Sequence, residues 1–458
     1  MSGPTTAAQP SLTGLPVEVI EAFATLLDLP DLCILRLTSC ELAAKASQGC
    51  YRTFFRKKEI DLADSEQLET FKRLTRRGGL GCLVENMTFL RYVALEDGGN
   101  HDVAASPDLH VLVDCLRNLK MYSASKSLHD LSLDVRTKDD SPGRVSPYRS
   151  MWNERTWDTP GTPLGLNVRG STRSPHRRNW KATWTLGASL YRETMAMLHQ
   201  SELSVKRLSV FGETENCSLG FDQLATYPEQ ALPSTSLATL DCLSLSLSHS
   251  VEVHRTNDEA TEAAVPSHIH RIEAFLQLCL RLETLDLHFF KIWVGGEDER
   301  PDTFVQETRF FDRIAALVKF PHLTSCTFRG LSCKSISLQQ FFEGAPQLQH
   351  VDIIHTNLTD GQWRPIFDTL CTQKLDSLHL DDLFEKGRIY FLGVPSKPKL
   401  VVEGQRQGTN ELTRSGADTT LTIKYQVARG RLLGSPVKNR YMAIREWLYG
   451  PVSFGSGD

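Results

Sequence analysis

A chain of 458 residues with a formal net charge of −4 has room for a small domain plus a large one, and lacks the basic excess of a general nucleic-acid binder. Its eleven cysteines are scattered, odd in number and never paired as C-x-x-C, which suits reduced thiols in a cytoplasmic or nuclear protein. The first basic residue is Arg36 and no apolar run approaches the ~18 residues of a membrane span, so neither a secretory leader nor a membrane anchor is expected. Residues 1–10 are small and polar and are expected to be a disordered tail. From Leu12 to Phe55 the sequence predicts a short helical unit. Pro16 suits a first helical turn, and Val17, Ile20, Ala24 and Leu27 form one apolar stripe while Val19, Phe23 and Leu26 form a second. Asp28 and Pro30 are expected to end this helix, and Asp31 to cap a second one carrying Leu32, Leu35 and Leu37. So wide an apolar arc on fewer than ~50 residues calls for a surface to dock against.

The residues Leu15-Pro16-x-Glu18-Val19-Ile20, Leu26-Leu27, Asp31-Leu32 and Leu35-x-Leu37, continued by Glu41 to Ala46, Tyr51 to Phe55 and Gly78 to Glu85, resemble the F-box, in the form seen in a large fungal group of F-box proteins. Many F-boxes place a basic residue and a Trp near the end of the motif, where this chain reads Ser39-Cys40-Glu41-Leu42. The resemblance implies an F-box over residues 11–57 that binds the Skp-type linker of an SCF ubiquitin ligase and, through it, a cullin. It points to Leu15, Pro16, Val19, Ile20, Phe23, Leu26, Leu27, Leu32, Leu35 and Leu37 as the linker-binding side chains. The other reading of these residues is a helical cap on the next domain, with no partner.

Ser65 to Arg77 reads as a further helix with Leu68, Phe71 and Leu74 buried, stopped at Gly78-Gly79. From Val84 onward an apolar-x-x-apolar-x-apolar pattern recurs, beginning at Val84, Leu128, Val205, Leu240, Leu282, Leu323, Leu348 and Leu375, with spacings of 25 to 77 residues. The end of each copy alternates as a strand does. Helical stretches lie between copies at Val265 to Leu280, Phe304 to Phe320, Ser337 to Phe342 and Gln362 to Leu370, the last two announced by capping boxes Ser337 with Gln340 and Thr359 with Gln362. Strand, turn and helix in repetition resemble leucine-rich repeats. The expected fold is therefore α/β: the F-box, an irregular repeat solenoid or horseshoe over 58–386, and a C-terminal cap over 387–458. A compact α/β domain with a buried parallel sheet is the alternative. In the tail, Arg388 to Leu392, Lys399 to Val402 and Leu421 to Val427 read as strands, and Asn439 can cap a final helix carrying Tyr441, Ile444 and Leu448.

Residues 136–181 are basic and rich in Ser-Pro and Thr-Pro pairs, and four of the seven tryptophans, Trp152, Trp157, Trp180 and Trp184, lie in or beside them. They are expected to form a flexible insert pinned to its own domain by those rings. Stacking on single-stranded nucleic acid is the other reading.

No P-loop, G-x-G-x-x-G, G-x-S-x-G or H-E-x-x-H pattern occurs, so no enzymatic activity and no cofactor are expected. His268-x-His270 and the pair Cys326 and Cys333 lack the further ligands of a metal site. If the alternating apolar residues point into the core, the residues between them line one outer sheet face. The candidates for binding a protein substrate there are Asp134, Asp286, His288, Arg329, Asp352, His379 and Asp381. Four aspartates against one arginine favour a basic partner segment, with the two histidines weakening it near pH 6–6.5. The same positions read equally as a solvated polar face. The expected function is a substrate-recognition adaptor of the ligase, with a repeat scaffold acting outside the ligase as the alternative.

Overall fold

The computed structural model describes residues 11–93, 109–137, 180–212, 214, 217–224, 234–248, 273–279, 281–290, 303–317, 319–394 and 408–428. Outside these lie the 1–10 tail, nearly all of the 136–181 insert, His268 and His270, the 399–402 strand and the Asn439 helix.

The chain opens with helices α1 (Val17–Ala24), α2 (Leu29–Thr38), α3 (Cys40–Lys45) and α4 (Gly49–Thr53). There follow β1 (Lys57–Asp61), α5 (Ser65–Leu74), β2 (Asn86–Val93), α6 (Leu109–Tyr122), β3 (Ser127–Thr137), α7 (Trp180–Ser201) and β4 (Ser204–Val210). Next come β5 (Leu219–Gly220), α8 (Phe221–Leu224), α9 (Ser234–Leu237), β6 (Cys242–Ser248), β7 (Thr284–Phe289) and α10 (Thr303–Leu317). The remainder is β8 (Ser325–Arg329), β9 (Ser332–Lys334), α11 (Ser335–Glu343), β10 (His350–Ile354), β11 (Asn357–Asp360), α12 (Trp363–Thr372), β12 (Ser377–Asp381) and β13 (Phe384–Glu385). The described chain ends with β14 (Arg388–Phe391), β15 (Glu411–Ser415) and β16 (Tyr425–Ala428).

The protein is mixed α/β, built on one large and mostly parallel sheet. Its strands β1, β2, β3, β4, β6, β7, β8, β10 and β12 lie side by side in sequence order, and β15 closes the row antiparallel to β12. All eight copies of the sequence pattern fall into one register. Met87, Leu131, Leu208, Leu243, Leu285, Cys326, Val351 and Leu378 form a continuous buried row. Phe89, Leu133, Val210, Leu245, Leu287, Phe328, Ile353 and Leu380 form the next on the same face. A ninth parallel strand, β1, precedes them without an apolar triplet of its own, Ile60 standing opposite Phe89.

Strands that follow one another in order require every crossover to go the same way. A crossover of one hand then brings every connecting helix to the same face. The burial pattern shows the result: inward residues are buried and the residues between them are at least partly exposed, as in β8 and β10. Successive strands also open alike. The Asp241 carbonyl accepts the N–H groups of Glu283 and Thr284, that of Glu283 those of Thr324 and Ser325, and that of Thr324 those of Gln349 and His350. The last copies are the most compact. After β8, β10 and β12 the chain turns through Gly330, His355 and Asp382, all at positive φ, into β9, β11 and β13 of a second, small sheet.

Several local expectations are corrected. Asp28, not Asp31, caps α2, accepting the Asp31 N–H at 2.9 Å, and Pro30 opens that helix, its missing N–H falling where none is needed. Leu74 ends α5 and is exposed, whereas Leu68 and Phe71 are buried. Neither capping box forms. Ser337 lies inside α11 and bonds Asp312 of α10, and Thr359 is in β11. The first N–H of α12 is taken instead by a distant group, the Glu385 carboxylate, at 2.5 Å from Trp363 N. Arg136 belongs to β3 and Lys181 to α7, not to the insert, and Trp184 is a buried residue of α7 that meets the Phe290 ring edge-on at 6.0 Å.

Phe328 packs within a cluster of rings, 5.1 Å from Phe341 and 5.4 Å from Phe311, both edge-to-face. Phe328→Ala is expected to lower the unfolding free energy by ~3–5 kcal/mol, read as a reduced denaturant midpoint.

Candidate functional site

Two surfaces stand out, and the first is the helical unit. Ile20, Ala24, Leu32, Leu42, Ala46 and Tyr51 form a core of their own, separate from that of the sheet. Capping and charge hold the unit together. Ser39 caps α3 by accepting the Leu42 N–H at 3.1 Å, and Lys45 Nζ donates to the Thr13 and Leu15 carbonyls at 2.5 and 2.9 Å. The Arg36 guanidinium lies 3.7 Å over the Tyr51 ring. The two stripes of α1 part company: Ile20 and Ala24 face inward, whereas Val19, Phe23 and Leu26 face solvent.

Of the linker-binding candidates, Ile20 and Leu32 are therefore internal and Leu15, Leu27 and Leu35 are partly buried against them. Pro16, Val19, Phe23, Leu26 and Leu37 are exposed, Leu26 at 81% and Leu37 at 87%. Leu12 and Ile34 add to the exposed apolar set and were missed by the motif. Ile34 was nonetheless legible as the helical neighbour of Leu37 three residues on.

The second surface is the polar face of the sheet. Asp134, Asp286, Arg329, Asp352 and His379 are partly exposed there. His288 and Asp381 are not: His288 is 8% exposed with the Phe290 ring edge-on at 6.5 Å, and Asp381 is fully buried with Asn410 Nδ2 donating to it at 3.2 Å. Alternation assigns a face but not what lies over it. After β4 the chain crosses the C-terminal end of this face, where a side chain on Gly212 would collide with Ser244 and Thr214 Oγ1 donates to Asp134 at 2.6 Å. Segment 408–411 covers Asp381 in the same way.

The expected acidic excess is also corrected, because each exposed aspartate has a basic neighbour. Arg136 binds Asp134 at 2.7 Å and Glu59 at 3.0 Å, and Arg329 pairs with Asp286, its Nε at 3.3 Å. His379 lies between Asp352 at 2.8 Å and Glu411 at 3.3 Å. Burial alone would lower the His379 pKa, but the hydrogen bonds from Asp352 and Glu411 outweigh it and hold the imidazole at about 10. It is thus charged at neutral pH and does not titrate near pH 6–6.5. Burial pushes the Cys115 and Cys279 thiols up to about 12, which makes them poor nucleophiles. Among the described residues no group of three or more His, Cys, Asp or Glu is placed to hold a metal ion, and no helix is long and apolar enough to cross a membrane.

No protein-family model matches the sequence, and no curated protein matches it.

A histidine whose folded pKa lies above its ordinary 6.5 contributes stability that is complete below pH 6.5 and fades as pH rises toward 10. The stability difference between the wild-type chain and His379→Gln should therefore be constant below pH 6.5 and shrink above it, measured by urea unfolding across pH. A midpoint of ring titration near pH 6–6.5 by NMR would contradict the assigned pairing. Asp381→Lys should destabilise the chain far beyond the ~0.5 kcal/mol of a surface change, because it places an ammonium in a site with no exposure.

Proposed function

We propose that the chain is a non-enzymatic substrate-recognition adaptor of an SCF-type ubiquitin ligase. Residues 11–57 act as an F-box that binds the Skp-type linker and, through it, a cullin. Residues 58–386 form an irregular leucine-rich-repeat-like solenoid, capped by 387–458, whose partly open polar face takes a protein substrate. The ubiquitin-transfer chemistry belongs to other subunits, and the adaptor works in the cytoplasm or nucleus.

One observation carries this reading. A helical unit with its own completed core still presents Leu12, Val19, Phe23, Leu26, Ile34 and Leu37 to solvent. Val19, Phe23 and Leu26 follow one another at helical spacing, as do Ile34 and Leu37, and several exposed large apolar side chains on one small unit point to an interaction site. These side chains fall within the stretch that resembles the F-box. Ser39-Cys40-Glu41-Leu42, where the sequence departs from many F-boxes, forms the cap and first turn of α3, so the departure leaves the helical scaffold intact. The sheet face supports the substrate role differently. Its paired charges leave few uncompensated ions, which favours recognition by hydrogen bonding and shape over attraction to a strongly basic segment.

Leu26→Asp combined with Leu37→Asp should abolish co-purification with the Skp-type linker. Because both side chains are largely in water, unfolding free energy should change by no more than ~0.5 kcal/mol per substitution. A double variant that binds the linker as well as wild type would remove this surface from the proposal. A wild-type chain that never binds the linker would favour a repeat scaffold acting outside the ligase.

A further inference from the structure

A basic collar adjoins the helical unit. Arg52, Arg56, Lys57, Arg73, Arg76 and Arg77 are all exposed. They come from two stretches, the exit of α4 into β1 and the end of α5, and the topology brings both to one edge of the sheet. A helix joining two parallel strands runs back toward their starts, so the end of α5 returns to the N-terminal ends of β1 and β2. Local contacts agree. The Arg56 carbonyl accepts the N–H groups of Glu85 and Asn86 where β2 begins. The Cys82 thiol donates to the carbonyls of Thr75 and Arg76 at 3.1 and 3.4 Å. Phe55 and Leu80 pack against the same core of the helical unit.

Among the described residues, few ion pairs offset these charges. Arg56 has a loose pair with Glu85 at 3.7 Å, and Arg73 donates to Thr70 at 3.1 Å. Arg52, Lys57, Arg76 and Arg77 make no ion pair with a described residue. The dipole of α5 accounts for Lys72 and Arg73 in its last turn, where Lys72 is also paired with Asp114 at 2.8 Å. It does not account for Arg76 and Arg77, which lie beyond that turn. In a chain of net charge −4, such a cluster of like charges is a local choice rather than a reflection of composition.

We propose that this collar receives an acidic protein surface on the same partner that covers the apolar face of α1 and α2. The proposal rests on the linker-binding role given above. Continuity with that face supports it: Arg52 and the exposed Phe54 follow from α4, which is tied to α1 by the Cys50 N–H donating to Glu21 at 3.0 Å. Exposed Leu74 lies between Arg73 and Arg76 in the same way. The exposed apolar side chains of α1 and α2 are interspersed in sequence with exposed Glu18, Asp28 and Asp31. A lipid surface or a phosphate backbone spanning both regions would be repelled there, whereas a protein can present opposite charges to each region. The collar would orient the partner and speed its approach, and the apolar face would hold it.

The test titrates purified Skp-type linker against the full chain and its R76E/R77E variant at low and high salt, about 0.05 and about 0.5 M. The expected result is about tenfold weaker and slower binding of the variant at low salt, converging with wild type at high salt. The milder R76Q/R77Q variant, retaining a similar length and polarity, should fall between them and guards against misfolding. Equal affinities and association rates for all three proteins at both salts would overturn the collar and leave the adaptor reading intact. Failure of the wild-type chain to bind the linker at either salt would overturn the adaptor reading, and the collar with it. Retention of the wild type but not the variant on a DNA duplex or phosphatidylserine vesicles, with linker binding unchanged, would reassign the collar to a polyanion.

Discussion

The structure depends on one constraint: nine parallel strands must present their apolar residues in a single register. A slip of one residue at any strand would turn its buried leucines toward water and its serines and aspartates into the core. Repeated backbone bonding opposes such a slip, since a carbonyl just before one strand receives two N–H groups from the start of the next. The helices can then vary greatly in length, from the 22 residues of α7 to the 4 of α9, because the constraint acts at the strand starts and not along the connections. This explains how copies 25 to 77 residues apart in sequence become equivalent in space.

A sheet built by repetition has ends, and the C-terminal end is closed by a buried polar network alongside apolar side chains such as Ile389, Phe391 and Leu412. His355 and Asp382, both at positive φ, face each other at 3.2 Å, and the buried Arg388 guanidinium bonds Asp382 while lying 4.9 Å from the Phe384 ring. Glu385 accepts the first N–H of α12 and the Tyr425 hydroxyl, linking the last repeat helix to the terminal strands. Such a network is demanding because any group left unpaired in it would be costly. The edge of β12 itself is covered by antiparallel pairing with β15, which keeps it from pairing with other chains.

In the proposed adaptor, the helical face and the sheet are joined closely. Only three residues separate α4 from β1, and Phe55 and Leu80 reach from the sheet side into the helical core. A short, packed junction of this kind sets the direction in which a bound substrate would face relative to the ligase. The two surfaces also differ in chemistry. The helical face is apolar and incomplete, while the sheet face is polar and largely paired within itself, so the first suits a permanent partner and the second an exchangeable one.

Much of this was legible in the sequence. The eight apolar triplets, the helices between the later ones and the two stripes of α1 follow from periodicity, because burial selects residue type at every second or every third to fourth position whatever the neighbours are. Which stripe of α1 meets a core and which meets solvent was decided only by tertiary packing. So were the covered states of His288, which lies against the Phe290 ring, and of Asp381, which depends on segment 408–411 arriving from elsewhere in the chain. The same holds for charge. Asp134 and Asp352 read as free acids because their partners, Arg136 and Glu411-bound His379, lie on other strands or within a stretch assigned to a loop. Periodicity is a local property carried by neighbouring residues. Cover, and charge pairing between strands such as that of His379 with Asp352 and Glu411, are long-range properties, and they exist only once the strands have been placed side by side.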